Sequence, residues 1–305
     1  MRSSQTSRPL GFLACASAGA LWGSGFYFGK IALREISVAH MVLYRFLFAL
    51  PAVLPLARNR DGARWTRNDW MLLTLAAFFG IPLQFLVQFK GLSLTSLSHA
   101  ALMIGTLPVI LAGAAAIVLK ERLNATAWCA LVASTTGACL IALGGHADGR
   151  SSFAGDALIV ASMFIALVWL LGNKKLLERH SALQLSARSL FVGTSILLVW
   201  TVAMNGLPPV HGVSTKAWMA LAASGLLCTA ATTILWNWGM TQVPASQGGI
   251  FINLEPVIGS VLGVTLLHEQ LGVVGWVGGA LIVGSAIVLS TRSETAQNAV
   301  QMESL

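Results

Sequence analysis

The sequence predicts an all-α integral membrane protein with ten transmembrane helices, arranged as two inverted repeats of five helices each. Three observations support this prediction. Of the 305 residues, 56% are hydrophobic and 10% are charged, whereas soluble domains carry about 25% charged residues. Ten apolar segments are long enough to cross a bilayer, which takes about 17–25 helical residues. Residues 70–128 also match residues 218–276 without a gap.

The ten apolar segments are numbered spans 1 to 10. We expect them at about residues 10–30, 38–57, 69–89, 97–119, 126–144, 154–173, 183–204, 217–238, 246–267 and 272–290. The links between them are too short to hold a soluble domain. The predicted parts are a cytoplasmic N-terminus (1–9), a first repeat (10–144), a second repeat (154–290) and a disordered cytoplasmic tail (291–305).

The internal match shows which spans correspond. Trp70 at the start of span 3 aligns with Trp218 at the start of span 8, and Pro108 in span 4 aligns with Pro256 in span 9. Spans 1 and 2 have only diverged copies in spans 6 and 7. Because each repeat has an odd number of helices, the second copy must enter the membrane from the opposite side. Two related halves of this kind are typical of transporters.

The distribution of basic residues predicts the orientation. If the N-terminus is inside, the cytoplasmic segments hold twelve Lys and Arg residues and the outer segments hold five. The positive-inside rule therefore places both termini in the cytoplasm, in an inner or plasma membrane. The net charge of +8 is spread over short loops instead of one face, which argues against nucleic acid as a partner.

A cleaved signal peptide is the alternative at the N-terminus, because Arg2 and Arg8 precede an apolar run that ends at Cys15. That run is shorter than a signal core of about 7–15 residues, and the hydrophobic stretch continues to Phe28. We therefore expect an uncleaved first span. The four cysteines lack zinc-ligand spacing, so neither a metal site nor a cofactor is predicted.

Short motifs in a fixed order connect the chain to a known family. They are Leu21-Trp22-Gly23-Ser24-Gly25-Phe26 with Lys30, Arg45-Phe46, Ser98-His99-Ala100-Ala101-Leu102 with Pro108, Lys120-Glu121-Arg122-Leu123, Leu254-Glu255-Pro256-Val257 and His268-Glu269-Gln270-Leu271. The chain resembles EamA-type transporters of the drug/metabolite transporter superfamily over nearly its full length. The resemblance implies ten helices, cytoplasmic termini and a central cavity between spans 1, 3, 4, 6, 8 and 9. It also implies small metabolites as substrates, mostly amino acids and their derivatives, which are often exported.

Polar and aromatic side chains on these spans are the candidates for the cavity lining. Gln84 and Gln88 are four residues apart and share one helix face, and an amide pair facing lipid would be costly. The full set is Trp22, Tyr27, Gln84, Gln88, His99, Met103, Trp169, Trp236, Asn237, Trp238, Gln247 and Asn253. The alternative for several of the tryptophans is a place in the interfacial aromatic belt.

Ionisable residues inside a bilayer are candidates for function because their burial is costly. Glu255 would couple transport to protons or neutralise a substrate amine; alternatively it forms an ion pair with Arg45 or Arg188, or is satisfied at the helix break before Pro256. For the two arginines, the sequence favours snorkelling or pairing at helix ends over carboxylate binding. Lys30 and Lys90, at the outer ends of spans 1 and 3, would attract an anionic group or snorkel.

Pro108 and Pro256 are the predicted hinges, since a proline inside a helix removes a hydrogen bond and permits bending. The alternative is that both are static packing kinks. The leading functional hypothesis is a secondary carrier, functional as a monomer, that works by alternating access. The alternatives are a passive facilitator or channel-like pore and a membrane-embedded enzyme. No GxxxxGK[ST] phosphate loop is present in the sequence, and no nucleophile with base and orienting group was identified, so we expect no enzyme.

Overall fold

The computed structural model describes residues 4–55, 64–107, 110, 125–144, 152–177, 179–242, 250–285 and 287–288. Within these residues the regular elements are helices. Four helices are long and apolar enough to cross a membrane, namely Arg67–Leu94, Phe153–Leu177, Leu183–Asn205 and Thr215–Met240. Shorter apolar helices accompany them. The prediction of an all-α membrane protein is confirmed at this level, while the count of ten spans and the inversion of the repeats stay predictions.

The helices of the first repeat follow the predicted order. Span 1 is Ser4–Ala32, span 2 is Val38–Val53, and span 3 is Arg67–Phe78, a π-helical turn Phe79–Leu83 and Gln84–Leu94; the described part of span 4 is Leu97–Ile104, and span 5 is Ala125–Gly144. The predicted hinge Pro108 and the tail 291–305 lie outside the described residues.

The second repeat contains the corresponding elements. Span 6 is Phe153–Leu177, span 7 is Ala182–Asn205, and span 8 is Thr215–Gly225, a π-helical turn Leu226–Ala231 and Thr232–Gln242; span 9 is a 3-10 turn Ile250–Asn253 followed by Leu254–Leu266, and span 10 is Val273–Ser285. Pro256 lies in the first turn of its helix, where the missing N–H needs no intrahelical partner.

Hydroxyl side chains determine where several helices begin. Thr66 accepts from Asp69 N before span 3 and forms a capping box with the Asp69 carboxylate, and Ser214 accepts from Ala217 N before span 8. Ser96 caps span 4 in the same way. Each such cap satisfies an N–H group that a helix start leaves unpaired. The caps before spans 3 and 8 lie at matching positions of the internal repeat.

The helices pack in pairs that recur between the two halves. Span 1 packs on spans 8 and 9, span 6 packs on spans 3 and 4, and span 2 and span 7 pack on each other and on spans 8 and 3 respectively. Small residues permit the closest approaches: a Cβ added to Gly259 of span 9 would lie 2.5 Å from Ala101 Cβ of span 4. These spacings allow tight packing of helix backbones inside a membrane.

Both long central helices change geometry at equivalent places. The π-helical turns of spans 3 and 8 occupy Phe79–Leu83 and Leu226–Ala231. Pro82 lies inside the first turn, but the second contains no proline. Proline therefore does not account for both. A π-helical turn shifts the regular hydrogen bonds and is frequent at functional sites.

Candidate functional site

Arg45 is a buried cation in the middle of span 2, with 5% of its surface exposed. Its guanidinium donates from Nε to Thr229 Oγ1 at 2.9 Å and from Nη2 to the Cys228 carbonyl oxygen at 3.2 Å. Both acceptors belong to the π-helical turn of span 8. The prediction that Arg45 snorkels or pairs at a helix end is therefore wrong, because its polar partners lie inside the protein.

Aromatic rings cover the remaining sides of this guanidinium. The centroids of Phe85 and Phe89 in span 3 lie 5.1 and 5.5 Å from Arg45 Cζ. Such contacts contribute about 0.5–2 kcal/mol, depending on desolvation. In the described part of the chain no carboxylate lies within salt-bridge distance of Arg45, although Glu255 is near enough to interact with it electrostatically. Arg45 thus places an unneutralised positive charge among spans 2, 3 and 8.

Glu255 is half-buried in the first turn of the helix Leu254–Leu266. Its main-chain oxygen lies so near span 1 that a Cβ added to Gly23 would come within 2.6 Å of it. The described residues show no ion pair between this carboxylate and Arg45 or Arg188. Glu255 and Arg45 are therefore two separate, opposite charges in the interior of the same helix bundle.

Aromatic side chains from both repeats pack between the helices of the bundle. Trp22 of span 1 and Trp236 of span 8 are half-buried, and their ring centroids lie 5.2 Å apart. Trp169 of span 6 packs against Gly80 in the π-helical turn of span 3, where a Cβ would collide with the indole. The structure therefore brings three of the predicted lining tryptophans into the interior of the bundle.

The other predicted lining residues have varied environments. Gln88, His99, Met103 and Asn253 are buried, and Gln84 and Tyr27 are half-buried. The Asn253 Nδ2 atom has no hydrogen-bond acceptor among the described residues. Asn237 donates to Ser186 Oγ of span 7 at 3.1 Å, so it joins two helices. Gln247 lies outside the described residues.

Two of the predicted residues are exposed. Trp238 is 43% exposed, and Lys90 is exposed at the end of span 3. The prediction that Trp238 lines the cavity stays a prediction. Two positions of helix rotate Trp238 by about 200° from Trp236, so the two indoles point in different directions.

The link between spans 3 and 4 is held by charged residues from three other places in the chain. We call the contacts of Lys30, Asp156 and Glu269 with residues 92–99 the outer clamp, because loop charges predict that this side is extracellular. Lys30 Nζ donates to the Leu92 carbonyl oxygen at 2.7 Å and to that of Thr95. The snorkelling alternative for Lys30 is therefore not observed, since its ammonium neutralises the carbonyl end of span 3.

Glu269 makes the second contact of the outer clamp, from the link after span 9. Its carboxylate accepts from Leu97 N at 2.6 Å, and from Ser98 N and Ser98 Oγ at 2.8 Å each. A carboxylate at the start of a helix satisfies unpaired N–H groups and interacts favourably with the helix dipole. Lys30, Glu269 and Ser96 line a cavity of about 280 Å³, together with Arg34 and Leu267.

Asp156, at the start of span 6, makes the third contact. Its Oδ1 accepts from Thr95 Oγ1 at 2.5 Å, and its Oδ2 lies 3.3 Å from His99 Nδ1. Both side chains of the His99–Asp156 pair are almost fully buried, with 3% and 2% of their surface exposed. The predicted lining residue His99 thus belongs to a hydrogen-bonded network that includes Lys30 through Thr95.

A second charged cluster lies on the side predicted to be cytoplasmic. Arg188 Cζ lies 4.5 Å from the ring centroid of Trp65 and 5.5 Å from that of Trp70. Trp65 also stacks on His180, with 3.9 Å between the ring centroids. Arg188 therefore interacts at the helix ends, as the sequence favoured, and the structure does not bring it together with Arg45.

Asp69 is the acidic member of this cytoplasmic cluster. Its Oδ1 lies 3.3 Å from Arg179 Nη1, and its Oδ2 lies 3.4 Å from His180 Nε2. The described residues thus include two buried His–Asp pairs, on opposite sides of the predicted membrane. Only the pair with Asp69 also has an arginine counter-ion.

The sequence-based site omitted Asp156 and Glu269, although both carry contacts of the outer clamp. A signal was present for Glu269, which aligns with Glu121 in the internal repeat. For Asp156 the only signal was an acidic residue at the start of an apolar span. Neither signal identified the atoms that the two carboxylates contact, because those atoms belong to residues far away in the sequence.

Comparison with known proteins agrees with this architecture. The profile of the EamA-like transporter family matches residues 9–143 and 153–291. An uncharacterized transporter of Archaeoglobus fulgidus is 23% identical over 275 residues, which cover 89% of this chain and 94% of the relative. A protein of Streptantibioticus cattleyicolor described as a probable terminal-alkyne amino-acid exporter is 26% identical, with 89% and 90% covered.

A solved crystal structure shares the fold. It superposes with a TM-score of 0.63 at 18% sequence identity, and the match covers 94% of this chain and 99% of the other. The two profile matches cover both halves of the chain in sequence order and, together, most of its length. The chain belongs to the EamA-like transporter family.

Proposed function

We propose that the protein is a secondary transporter that exports a small metabolite, an amino acid or a related compound, across the inner or plasma membrane by alternating access. Membership of a transporter family and a relative described as an amino-acid exporter support this proposal. The proposal includes cytoplasmic N- and C-termini and a functional monomer.

The outer clamp is the observation that carries the alternating-access part of the proposal. Three charged side chains, Lys30, Glu269 and Asp156, close the outer ends of spans 3 and 4 through hydrogen bonds instead of through apolar packing alone. Their partners include Leu92, Leu97 and Thr95 respectively. Hydrogen bonds to charged groups can exchange for water when helices separate, at a net cost of about 1.5–3 kcal/mol each. Such a closure is suited to a gate that opens and closes.

The recurring helix pairs support the proposal of two inverted repeats. Span 1 contacts span 8 as span 6 contacts span 3, and span 9 contacts span 4 across small residues. In inverted-repeat transporters, the two halves exchange equivalent packings around a site near the midplane. Spans 4 and 9 meet at the centre of this arrangement.

The interior charges support a polar solute. Arg45 has no carboxylate partner within salt-bridge distance in the described part of the chain, and Glu255 is half-buried nearby. We propose that Glu255 binds an amine of the substrate and that Arg45 supplies a positive charge opposite Glu255. The aromatic surfaces of Trp22 and Trp236 would then contact the apolar part of the solute.

Counterflow in proteoliposomes tests the proposal. Purified protein is reconstituted with an unlabelled amino acid inside, and uptake of the same labelled amino acid is followed across a panel of the twenty common ones and small-metabolite mixtures. We expect transient accumulation above equilibrium for at least one solute. A passive channel would give equilibration without trans-stimulation, and no movement of any solute would contradict transport itself.

A further inference from the structure

We propose that the His99–Asp156 pair is a proton-binding site and that closing the outer clamp takes up one proton from the extracellular side. The inference rests on the proposed function, because it treats the outer clamp as a gate. It adds a ligand, the proton, and the two residues that hold it.

The first step is the charge of the closed clamp. Lys30 contributes a positive charge, and Glu269 and Asp156 each contribute a negative one. Lys30 donates to main-chain oxygens, and Glu269 accepts from main-chain N–H groups and Ser98. In the described part of the chain no lysine or arginine lies within 4.0 Å of Asp156. With a neutral His99 the buried clamp has a net charge of −1, and one added proton makes it neutral.

The second step is the cost of leaving that charge uncompensated. His99 and Asp156 have 3% and 2% of their side-chain surface exposed, so water does not screen them. A buried charge without a counter-ion is strongly unfavourable, whereas a hydrogen-bonded neutral pair is tolerated. The proton therefore resides on the pair while the clamp is closed. When spans 4 and 6 separate and water enters, the charged form of Asp156 is solvated again and the proton is released.

The groups around the pair do not remove the requirement for a proton. Lys30 from span 1 and Glu269 from the link after span 9 cancel each other in charge. Arg34 lies in the same cavity but is exposed to solvent, and Lys90 of span 3 is exposed as well. Thr95 between the two helices contributes a neutral hydroxyl. The proton is the remaining group that neutralises Asp156.

The cytoplasmic His–Asp pair provides an internal contrast. Asp69 lies 3.4 Å from His180, but Arg179 is also within 3.3 Å of the same carboxylate. Arg179 therefore already supplies a positive counter-charge to the Asp69 carboxylate. Two pairs of the same chemistry are therefore expected to respond differently to pH, and H180Q and D69N serve as matched controls.

A reporter for opening of the clamp is available directly beneath it. Ser260 of span 9 is 2% exposed, and its main-chain oxygen lies 3.4 Å from Ser98 Oγ. S260C is nearly isosteric and introduces a thiol that extracellular reagents reach only when spans 4 and 9 separate. The four native cysteines are first replaced by alanine. The probe is a membrane-impermeant maleimide applied to intact cells, and labelling is normalised to the same protein unfolded at the same pH.

We expect labelling of S260C to fall as external pH is lowered from about 8 to about 5.5, by up to about tenfold per pH unit, the limit for one proton. D156N should stay closed and lose this dependence. H99Q should retain it but displace it to more acid pH, because a lone carboxyl takes up protons in a lower range than imidazole. H180Q and D69N should behave like the S260C parent.

Each result bears on the proposal. Labelling that does not depend on pH in the parent, or an unchanged dependence in D156N, would overturn the proton site while leaving the gate intact. Loss of the dependence in E255Q but not in D156N would assign the proton to Glu255 instead. No labelling at any pH would contradict the gate, and with it the alternating-access proposal that counterflow tests separately.

Discussion

Glu269 and Ser98 are 171 positions apart in the chain, and their side chains are joined at the outer clamp. Glu269 Oε2 accepts from both the main-chain nitrogen and the hydroxyl of Ser98, each at 2.8 Å. The link after span 9 is thereby attached to the start of span 4. If the clamp is a gate, this contact is one that must break for the outer side to open.

The first prediction concerns this contact. E269Q replaces one carboxylate oxygen with an NH2 group, which faces N–H donors and cannot accept from them. Hydrogen bonds to charged groups contribute about 1.5–3 kcal/mol each, so we expect maleimide labelling of S260C to rise about tenfold or more. E35Q is the control, because Glu35 is a carboxylate on the same side that contacts Ser214 instead of span 4. Equal effects of the two variants would contradict the prediction.

The second prediction concerns Lys30. K30M keeps the aliphatic stem but removes the donor to the Leu92 and Thr95 carbonyl oxygens. We expect a loss of about 1–3 kcal/mol of stability, the cost of leaving buried acceptors unpaired, measured as a lower melting temperature in detergent. K90M is the control because Lys90 is exposed. A K30M protein as stable as K90M would show that Lys30 makes no net contribution.

The third prediction tests the assignment of the interior charges. E255Q should weaken counterflow of amine-bearing solutes by about tenfold, the value of a lost charge-assisted contact, and R45Q should also reduce transport. R188Q should transport normally, since Arg188 stacks on Trp65 and Trp70 at the other end of the bundle. Transport by E255Q at the parent rate would remove Glu255 from substrate binding, and an unchanged pH dependence of uptake would exclude a proton role for it.

The fourth prediction concerns the crossing of spans 4 and 9. A Cβ at Gly259 would lie 2.5 Å from Ala101 Cβ, whereas a Cβ at Gly284 of span 10 meets nothing within 4 Å. G259A should therefore destabilise the protein by roughly 1–3 kcal/mol through overpacking. G284A should be neutral or stabilising by up to about 1 kcal/mol, because alanine favours helix. Melting temperatures of the two variants provide the measurement.

The fifth prediction concerns a surface contact between the two repeats. Hydrogen bonds from the Ser214 hydroxyl and main-chain N–H lower the pKa of Glu35. A carboxyl whose pKa is lower in the folded state stabilises that state above its unfolded pKa, and this contribution is lost as pH falls through the folded value. E35Q should therefore flatten the acid side of the stability–pH profile. Profiles that coincide would show that this exposed contact has no energetic effect.

Part of the fold and site follows from sequence because periodic hydrophobicity and internal repetition are local patterns. The apolar helices, the matching starts of spans 3 and 8, and the inward position of Gln88 belong to this class. The environment of Arg45 does not follow from local sequence patterns. Its place depends on the acceptors Thr229 and Cys228 in the π-helical turn of another span, and neither the turn nor the helix pairing is visible in the local sequence.

The site residues likewise divide into those that a local sequence pattern indicates and those that depend on tertiary contacts. Trp236 and Trp238 are only two residues apart and a helix directs them to nearly opposite sides, so which indole faces inward depends on the tertiary packing of span 8. Asp156 and Glu269 were missed because each acts on partners far away in the sequence. When a charged side chain contacts main-chain atoms, the residues that supply those atoms need no particular side chain. Their sequence therefore does not reveal the contact.

Several contacts of the outer clamp are made to main-chain atoms, and this affects which positions can change in sequence. Lys30 contacts the carbonyl oxygens of Leu92 and Thr95, Glu269 contacts the N–H groups of Leu97 and Ser98, and Ser152 donates to the Leu94 carbonyl oxygen. Backbone atoms are the same for nearly every amino acid. The exposed positions Ser93 and Leu94 can therefore change and adapt the outer surface. Thr95, Ser96 and Ser98, whose hydroxyl groups also form hydrogen bonds, stay under constraint.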